Sequence, residues 1–508
     1  MNTHLIASIA ALLAYTAFSL YVGLKVGYTK KEVATHRDYF LGRGVGFIVL
    51  LFTTAATAYS AWIFMGAPGA FYNRGIGFAT GITWQLVGMF VMGVWSPKFW
   101  RLSKDRGYTT PADLVQDYYN PSGKGMRMSV SISQLAFCIP TMIAQVSGAG
   151  LAIAVLTGDI IPMWAGSLYT VVVVSIYVYF GGFKSQAWVD TFQGSMFTIA
   201  LWGAVIIMLV QPELGGIPGL FSRIEALNEK FLLYWGTNDA VNSVVWNWRN
   251  YLGFFVIQSI GITLAPYVWQ RAYAAKSGGH IRKMAGVLGI IYTFGVMLPV
   301  MLAGFGGRAL NVQPENADSI IVSVLSQYAP MWGIFIVVGI IACAMSTISS
   351  ISVTVSSLVT VDIIKTFKPN LDTTQLRNIA RWCVLSLIVV SMIAAFMGTT
   401  GIVVLINTAM AGFAQMFWPV FGIFVWKRAT KEGALAGYLA GVITAAILTG
   451  TGQNLWGFIP GFWGFVLNGT LLFVVSLMTK PIDRAHRRQY MEPLVKNATK
   501  GITSSIDS

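Results

Sequence analysis

Residues 53–69 decide the fold that this sequence predicts. They read Thr53-Thr54-Ala55-Ala56-Thr57-Ala58-Tyr59-Ser60-Ala61-Trp62 and then, after Ile63 and Phe64, Met65-Gly66-Ala67-Pro68-Gly69. Small and hydroxyl side chains are dense in an otherwise apolar run, and Gly-Pro-Gly punctuates its end. A helix at membrane depth breaks only where its backbone lines protein or a watery cavity. The stretch therefore predicts a helix that is interrupted at a site inside the membrane.

A second interrupted run reads Gln258-Ser259-Ile260-Gly261-Ile262-Thr263-Leu264-Ala265-Pro266. Five predicted spans separate the start of one run from the start of the other, so the two helices point in opposite directions. Paired interrupted helices in inverted five-helix repeats indicate the midplane binding site of a transporter. The alternative is that the small residues permit close helix packing and that the proline only kinks its helix.

The whole chain has the composition of a membrane protein. Of its 508 residues, 55% are hydrophobic and 10% are charged, whereas soluble proteins average about 25% charged residues. This charge is too low for a soluble globular protein, and the apolar content is too high for a disordered one. Cys138, Cys343 and Cys383 all fall in apolar stretches, which predicts reduced thiols and no disulfide framework.

A helix needs about 20 mostly apolar residues to cross the hydrocarbon core of a membrane. Thirteen candidate spans meet this requirement, at 4–27, 46–70, 77–97, 127–156, 162–180, 191–211, 250–270, 284–305, 331–358, 382–398, 402–426, 433–450 and 461–479. An odd number of spans predicts that the two termini lie on opposite sides of the membrane.

The distribution of basic residues orients these spans. All but five of the 34 Lys and Arg fall in or beside the loops that follow the odd-numbered spans, or in the tail. The five exceptions are Arg74, Arg223, Lys230, Arg249 and Arg308. The positive-inside rule then predicts an outside N-terminus and a cytoplasmic tail, in a multi-pass protein of the cell membrane. The basic residues that give the net charge of +15 are therefore expected to face the lipid bilayer, and nucleic acid is not expected as a partner.

Span 9 carries a dense run of hydroxyl residues, Cys343-Ala344-Met345-Ser346-Thr347-Ile348-Ser349-Ser350-Ile351-Ser352. Sodium is a hard cation that prefers oxygen ligands. Ser346 and Thr347, next to the Cys343 carbonyl, would supply half of such a shell, and carbonyls released by the broken span 2 would supply the rest. The alternative is that the hydroxyls bond back to the carbonyl four residues earlier and only pack helices. Ser349, Ser350 and Ser352 are interpreted as structural.

Asp190 is a carboxylate that has no obvious loop setting. It is predicted to open span 6 from the cytoplasmic side, where the helix dipole would stabilise it. A cation pathway would also require an acid at this position. Both explanations stay open.

Constellations typical of enzymes are missing from the sequence. The four histidines, His4, His36, His280 and His486, are scattered without metal-ligand spacing, and no phosphate-binding loop is present. We therefore expect that the chain is not an enzyme and that an ion gradient supplies the energy for any uphill transport.

Several local motifs resemble those of the bacterial sodium:solute symporters, the family of the proline, pantothenate, monocarboxylate and sodium/sugar transporters. They are Arg37-Asp38-Tyr39-Phe40-Leu41-Gly42, Met65 to Ala70, Gly181-Gly182-Phe183 with Asp190 to Gly194, Gln270 to Ser277, and Trp426 to Gly437. The resemblance implies an all-α membrane protein with a leucine-transporter-like 5+5 inverted-repeat fold. It places the sodium ion at Ala56, Tyr59, Cys343, Ser346 and Thr347, and implicates Asp190 in the ion pathway.

The resemblance also divides the chain. Residues 1–479 would form one membrane transport domain, made of a first span and loop (1–45), repeat 1 (46–211), repeat 2 (250–426) and peripheral spans (427–479), followed by a basic cytoplasmic tail (480–508).

Two departures from the family pattern bear on the solute. Ala58 stands where proline transporters carry Asp, and Gly261 lies near the position of a tyrosine gate in sugar transporters. The turn at Leu264-Ala265-Pro266 resembles the pantothenate and monocarboxylate branches more closely. Candidate solute-binding residues are Thr57, Ser60, Gln85, Gln258, Thr263 and Gln415, each of which could instead make an interhelical hydrogen bond.

These observations predict a sodium-coupled secondary active symporter that imports a small organic solute, a monocarboxylate or related anion, by alternating access. The alternatives are a proton-coupled or uncoupled transporter of the same fold, and a solute sensor with a transporter-like domain.

Overall fold

The computed structural model describes residues 3–27, 36–42, 44–120, 122–233, 247–397, 401–492 and 494. Within these ranges the chain forms α-helices and no β-sheet; Val45 and Ala275 make one isolated bridge. The helices of the first half are α1 (Thr3–Gly27), α2 (His36–Leu41), α3 (Phe47–Phe64), α4 (Gly66–Arg74), α5 (Thr80–Arg106), α6 (Pro111–Tyr119), α7 (Gly125–Thr157), α8 (Met163–Leu209) and α9 (Gly216–Leu227).

The second half continues the same all-helical pattern. Its helices are α10 (Trp248–Leu264), α11 (Pro266–Ala274), α12 (Gly278–Ile290), α13 (Leu298–Ala309), α14 (Ile320–Tyr328), α15 (Pro330–Ser357), α16 (Lys365–Phe367), α17 (Thr373–Met397), α18 (Ile402–Phe413), α19 (Phe417–Phe424), α20 (Lys431–Gly450) and α21 (Pro460–Met478). Two π-helical segments, Ile291–Met297 and Leu358–Ile364, join α12 to α13 and α15 to α16.

The described helices account for the predicted spans. Ten continuous helical segments are long and apolar enough to cross a membrane, and two bent helix pairs bring the number to twelve. The 47-residue α8 covers both predicted spans 5 and 6. Its length of about 70 Å, at 1.5 Å per residue, exceeds the roughly 30 Å hydrocarbon core. Gly182, with a φ of 55° and a ψ of −146°, interrupts α8 between the two predicted spans.

Both predicted helix interruptions are present. Ser60 has a φ of 54° and a ψ of 173° inside α3, a conformation that a residue other than glycine rarely adopts. Ala265 is extended, with a ψ of 132°, and separates α10 from α11 with a bend of 42°. Pro266 causes this break because proline has no amide hydrogen and disfavours the helical conformation of the residue before it.

The centre of the bundle is α15. In its most apolar stretch 94% of the residues are buried, against 22% for α1, which has the exposure expected of a lipid-facing helix. α15 packs against α3, α7, α8 and α17. The broken α3 is therefore held against a long helix that is enclosed by protein on nearly every side.

The beginning of the predicted cytoplasmic tail is helical and docked. Residues 484–492 form a helix in which Tyr490 is fully buried against Tyr118. The His486 ring nitrogen Nε2 lies 3.0 Å from the Tyr118 carbonyl oxygen. The rest of the tail lies outside the described residues.

Candidate functional site

The break in α3 is stabilised by a side chain from another helix. The Ala61 amide donates to Gln145 Oε1 of α7 at 2.7 Å, outside the helical ladder. The Trp62 amide donates to Ser60 Oγ at 3.2 Å, which supports the turn locally. Since Ala61 finds its acceptor elsewhere, the Thr57 carbonyl is available to another partner.

Oxygen atoms of α3 and α15 converge at this break. Ser346 Oγ donates to the carbonyl oxygens of Ala56 at 2.8 Å and Cys343 at 2.7 Å. Thr347 Oγ1 lies 3.4 Å from the Thr57 carbonyl and 3.3 Å from that of Cys343. All five residues are at most 1% exposed. We call these five residues the oxygen cluster.

The oxygen cluster suits a hard monovalent cation. It holds three carbonyl oxygens and two hydroxyls, and hydroxyl groups can turn to present lone pairs instead of protons. Four of the five predicted sodium residues, Ala56, Cys343, Ser346 and Thr347, meet there. The fifth, Tyr59, stands directly before the break, and its buried ring packs against Phe197 and Tyr292.

Asp190 lies in a different setting from the predicted one. It is inside α8, eight residues beyond the interruption at Gly182, and it is fully buried. The field of a helix terminus falls off within the first turn, so the helix-dipole explanation is wrong. Side chains hold Asp190 instead: its Oδ2 accepts hydrogen bonds from Thr53 at 2.6 Å and from Gln186 at 3.1 Å.

The third partner of Asp190 is Arg271, whose Nη2 lies 3.3 Å from Oδ2. The sequence motif places Arg271 in the loop after span 7. In the structure it belongs to α11 and is only 1% exposed. The interpretation of this segment as a loop is therefore wrong, because α11 is the second half of a broken span.

A narrow cavity lies beside the oxygen cluster. It is lined by Thr57, Ala58, Ser60, Trp62, Trp84, Gln85, Thr141, Gln258, Ile262, Tyr267, Tyr292, Thr347, Ile406 and Met410. Its free volume of about 20 Å³ is enough for about one water molecule. A solute therefore requires these side chains to move apart. We call this space the central cavity.

Comparison with known proteins identifies the chain. The family model described as SSF, the sodium:solute symporter family, matches residues 39–441. The chain belongs to the sodium:solute symporter family.

Relatives of this symporter extend over nearly its whole length. It is 28% identical to the high-affinity proline transporter PutP of Bacillus subtilis (strain 168), over 92% of this chain and 98% of the relative. It is 27% identical to the sodium/pantothenate symporter of Escherichia coli (strain K12), over 83% and 86%. Among solved structures, the substrate-bound outward-open state of a Na⁺-coupled sialic acid symporter matches with a TM-score of 0.78 and 20% identity, over 94% of this chain and 99% of that one.

The expected fold class and general activity are thereby confirmed. The protein has the all-α, leucine-transporter-like fold and is a multi-pass membrane transporter of a small solute, not an enzyme. Family membership indicates sodium as the coupling ion.

The structure brings four of the six candidate solute residues to the central cavity, namely Thr57, Ser60, Gln85 and Gln258. Thr263 and Gln415 are not among the residues that line it. Thr263 Oγ1 donates to the Gly88 carbonyl at 2.7 Å, where α5 crosses α10. Gln415 Nε2 donates to the Ala411 carbonyl at 2.9 Å, and its Oε1 accepts from Asn468 of α21 at 3.2 Å. The side chains of Thr263 and Gln415 therefore bond within the helix bundle, and their part in solute binding stays a prediction.

Sequence reasoning missed the aromatic part of the central cavity. Trp62, Trp84, Tyr267 and Tyr292 line it, and the Trp62 and Trp84 ring centroids are 6.0 Å apart. Trp84 Nε1 is buried without an acceptor among the described residues. The only available sequence signal was the adjacency of Trp84 to Gln85 in an apolar span.

Proposed function

We propose that this symporter couples the inward movement of Na⁺ to the import of a small organic anion, a monocarboxylate or a related carboxylate. The observation that carries the sodium part is the oxygen cluster between the broken α3 and the buried α15. None of its oxygen atoms belongs to a group that titrates near neutral pH. A proton would need such a group, so the chemistry of the cluster favours Na⁺ over H⁺.

The lining of the central cavity supports a small anionic solute. None of its described lining residues is Asp, Glu, Lys or Arg. Hydroxyl and amide groups, and the indole N–H of Trp84, supply neutral hydrogen-bond donors for a carboxylate. α11 begins at Pro266 beside the lining residue Tyr267, and the first turn of a helix favours negative charge. Proline and pantothenate, named for two relatives, are both carboxylates.

Transport would proceed by alternating access about the broken helices. α3 and the α10–α11 pair contain the interruptions, whereas α7 and α15 enclose the oxygen cluster without a break in its vicinity. Movement of the broken helices against these supports would open the central cavity first to one side and then to the other. With the predicted orientation, the N-terminus is outside and the tail is in the cytoplasm of the cell.

A counterflow screen in proteoliposomes tests this proposal. Purified symporter is reconstituted into vesicles preloaded with unlabelled short monocarboxylates, amino acids, pantothenate or sugars, and entry of the same labelled solute is measured. Each solute that exchanges is then tested for uptake under an imposed inward Na⁺ gradient, with K⁺ replacing Na⁺ in parallel vesicles. We expect Na⁺-dependent accumulation of a short carboxylate. Uptake driven by a proton gradient would overturn the proposal in favour of a proton-coupled transporter. Uptake without accumulation would favour an uncoupled transporter, and binding without flux would favour a solute sensor.

A further inference from the structure

The buried Arg271 side chain makes polar contacts with three other helices, α3, α8 and α15. Its Nε donates to the Thr53 carbonyl at 3.1 Å, and its Nη1 donates to the Tyr267 carbonyl at 2.6 Å. Its Nη2 contacts the hydroxyls of Thr53 and Thr57 on α3. The guanidinium therefore joins the second half of one broken span to the first half of the other.

The same guanidinium reaches two further helices, α15 and α8. Nη2 donates to Ser350 Oγ of α15 at 2.7 Å and pairs with Asp190 of α8. Asp190 Oδ1 is buried and has no hydrogen-bond partner among the described residues. The carboxylate thus has one oxygen engaged by Arg271 and a second that can accept another cation.

Two single-residue links connect this ion pair to the oxygen cluster. The Thr57 hydroxyl contacts Arg271, whereas its carbonyl lies in the oxygen cluster. Ser350 Oγ donates to the carbonyl of Ser346 at 2.6 Å and accepts from Arg271. A single residue, Thr57 or Ser350, therefore bridges the Arg271 guanidinium and the oxygen cluster.

The end of α11, the helix that carries Arg271, is also hydrogen-bonded to the segment that leads into α3. The Val45 amide donates to the Ala274 carbonyl and the Lys276 amide donates to the Val45 carbonyl, both at 2.9 Å. These bonds fasten the end of α11 to the chain just before α3. The two half-helices and the guanidinium can consequently move as one unit relative to Asp190.

We propose that Arg271 is a tethered cation that alternates with the transported Na⁺ on the Asp190 carboxylate. With the half-helices closed, Arg271 neutralises Asp190 and seals the route below the oxygen cluster. When the half-helices swing away, Arg271 leaves Asp190 Oδ2, and the carboxylate receives Na⁺ as it departs from the oxygen cluster. Return of Arg271 then displaces the ion. This inference rests on the proposed sodium coupling.

The exchange predicts opposite effects for the two members of the pair. Asp190→Asn leaves the Arg271 charge uncompensated beside the oxygen cluster, so the Na⁺ concentration for half-maximal uptake rises. Arg271→Gln leaves the Asp190 charge uncompensated, so this concentration falls, while the maximal rate falls because the ion departs slowly. We expect each shift to be about tenfold, which corresponds to about 1.4 kcal/mol of interaction between the uncompensated charge and the bound ion.

The test measures uptake into proteoliposomes against Na⁺ concentration for the two single variants and for the double variant D190N/R271Q, in which both charges are absent. We expect the double variant to return the half-saturating Na⁺ concentration to within about threefold of the original value. A difference of this size remains because the effects of substitutions at contacting groups are not fully additive. If a single variant does not fold, Arg271→Lys and the double variant still separate charge from packing, since Lys retains the charge and should keep the original Na⁺ dependence.

Asp362 and Arg127 supply the matched control. They form a second ion pair, 2.8 Å apart, between α7 and the π-helical segment after α15, in which Asp362 is fully buried and Arg127 also pairs with Asp113 at 2.7 Å. Asp362→Asn should lower thermal stability without shifting the half-saturating Na⁺ concentration. Shifts in the same direction for Asp190→Asn and Arg271→Gln, or no shift in either, would overturn the exchange. Loss of Na⁺ dependence in the unmodified protein would instead overturn the proposed function.

Discussion

Ser346 Oγ lies 2.8 Å from the carbonyl oxygen of Ala56, although 290 residues separate the two positions. This contact joins the buried α15 to the broken α3, and Thr347 makes a parallel contact with Thr57 at 3.4 Å. Each hydroxyl also reaches the Cys343 carbonyl of its own helix. The proposed sodium site therefore depends on two adjacent hydroxyls and one carbonyl of α15 and on two carbonyls of α3.

Removing either hydroxyl should impair sodium coupling. In Ser346→Ala and Thr347→Ala one ligand oxygen is lost, and we expect the half-saturating Na⁺ concentration to rise at least about tenfold, equivalent to about 1.4 kcal/mol. Sodium-stimulated uptake in proteoliposomes measures this change. Ser352→Ala is the control, because within the described part of the chain Ser352 Oγ bonds only to its own helix, at the Ile348 carbonyl 2.7 Å away. Equal Na⁺ dependence in all three variants would rule out the assigned site.

Gln145 should be required for the break in α3. In Gln145→Ala the Ala61 amide loses its acceptor inside the protein, which costs about 1–3 kcal/mol for a buried unsatisfied group. We expect a lower midpoint of thermal unfolding in detergent and slower transport. Gln211→Ala is a suitable comparison, because Gln211 Nε2 donates to a carbonyl at a half-exposed helix end. An unchanged midpoint in the Gln145 variant would show that the break does not need this side chain.

Gly182 should tolerate no side chain. Its φ of +55° disfavours any other residue, and a Cβ atom there would lie 2.6 Å from the Tyr39 carbonyl oxygen. We expect Gly182→Ala to destabilise the protein by at least about 1–3 kcal/mol, the cost of such a strained backbone position. A Cβ atom at Gly286 would have open space, so Gly286→Ala provides the control in the same unfolding assay. Similar stability of both variants would contradict the interruption of α8.

Trp84 should affect the solute and not the ion. Trp84→Phe keeps the aromatic packing but removes the indole N–H, so the solute concentration for half-maximal uptake should rise by about tenfold while the Na⁺ dependence stays unchanged; a lost hydrogen bond to a charged group is worth about 1.5–3 kcal/mol. Thr263→Val should leave the solute dependence unchanged, since Thr263 bonds to the Gly88 carbonyl. The reverse pattern would place the solute site at the contact between Thr263 of α10 and Gly88 of α5 instead.

The breaks in the two interrupted helices could be predicted because their signals are local. Pro266 removes a helical hydrogen bond whatever its surroundings. The many small residues just before Ser60 indicate a helix that is interrupted. The hydroxyls of Ser346 and Thr347 stand next to each other in the sequence, so the α15 half of the oxygen cluster could also be read directly.

The ion pair of Asp190 and Arg271 could not be read in this way. The two residues are 81 positions apart, and Arg271 stands five residues before Lys276, where it counts as one more basic residue of a loop. Asp362 and Arg127, 235 positions apart, escaped notice for the same reason. Only tertiary packing shows that such charges are buried and paired.

The two candidate solute residues that do not line the central cavity, Thr263 and Gln415, illustrate a similar difficulty. A Thr or Gln in an apolar span has the same appearance whether it faces a cavity or a neighbouring carbonyl. Thr263 contacts Gly88 because that glycine lets α5 approach α10 closely, and Gln415 contacts Asn468, which belongs to α21. The sequence of the span that carries Thr263 or Gln415 does not show which neighbouring helix the side chain will contact.

The central claim is that Na⁺, bound at the oxygen cluster, and the solute, bound in the central cavity, cross the membrane together. The most direct measurement is the influx of radiolabelled Na⁺ into proteoliposomes with and without the solute identified by counterflow. We predict that the solute stimulates Na⁺ influx in the unmodified symporter and that this stimulation is lost in Ser346→Ala. Solute uptake with no accompanying Na⁺ influx, or stimulation that survives in Ser346→Ala, would contradict the account.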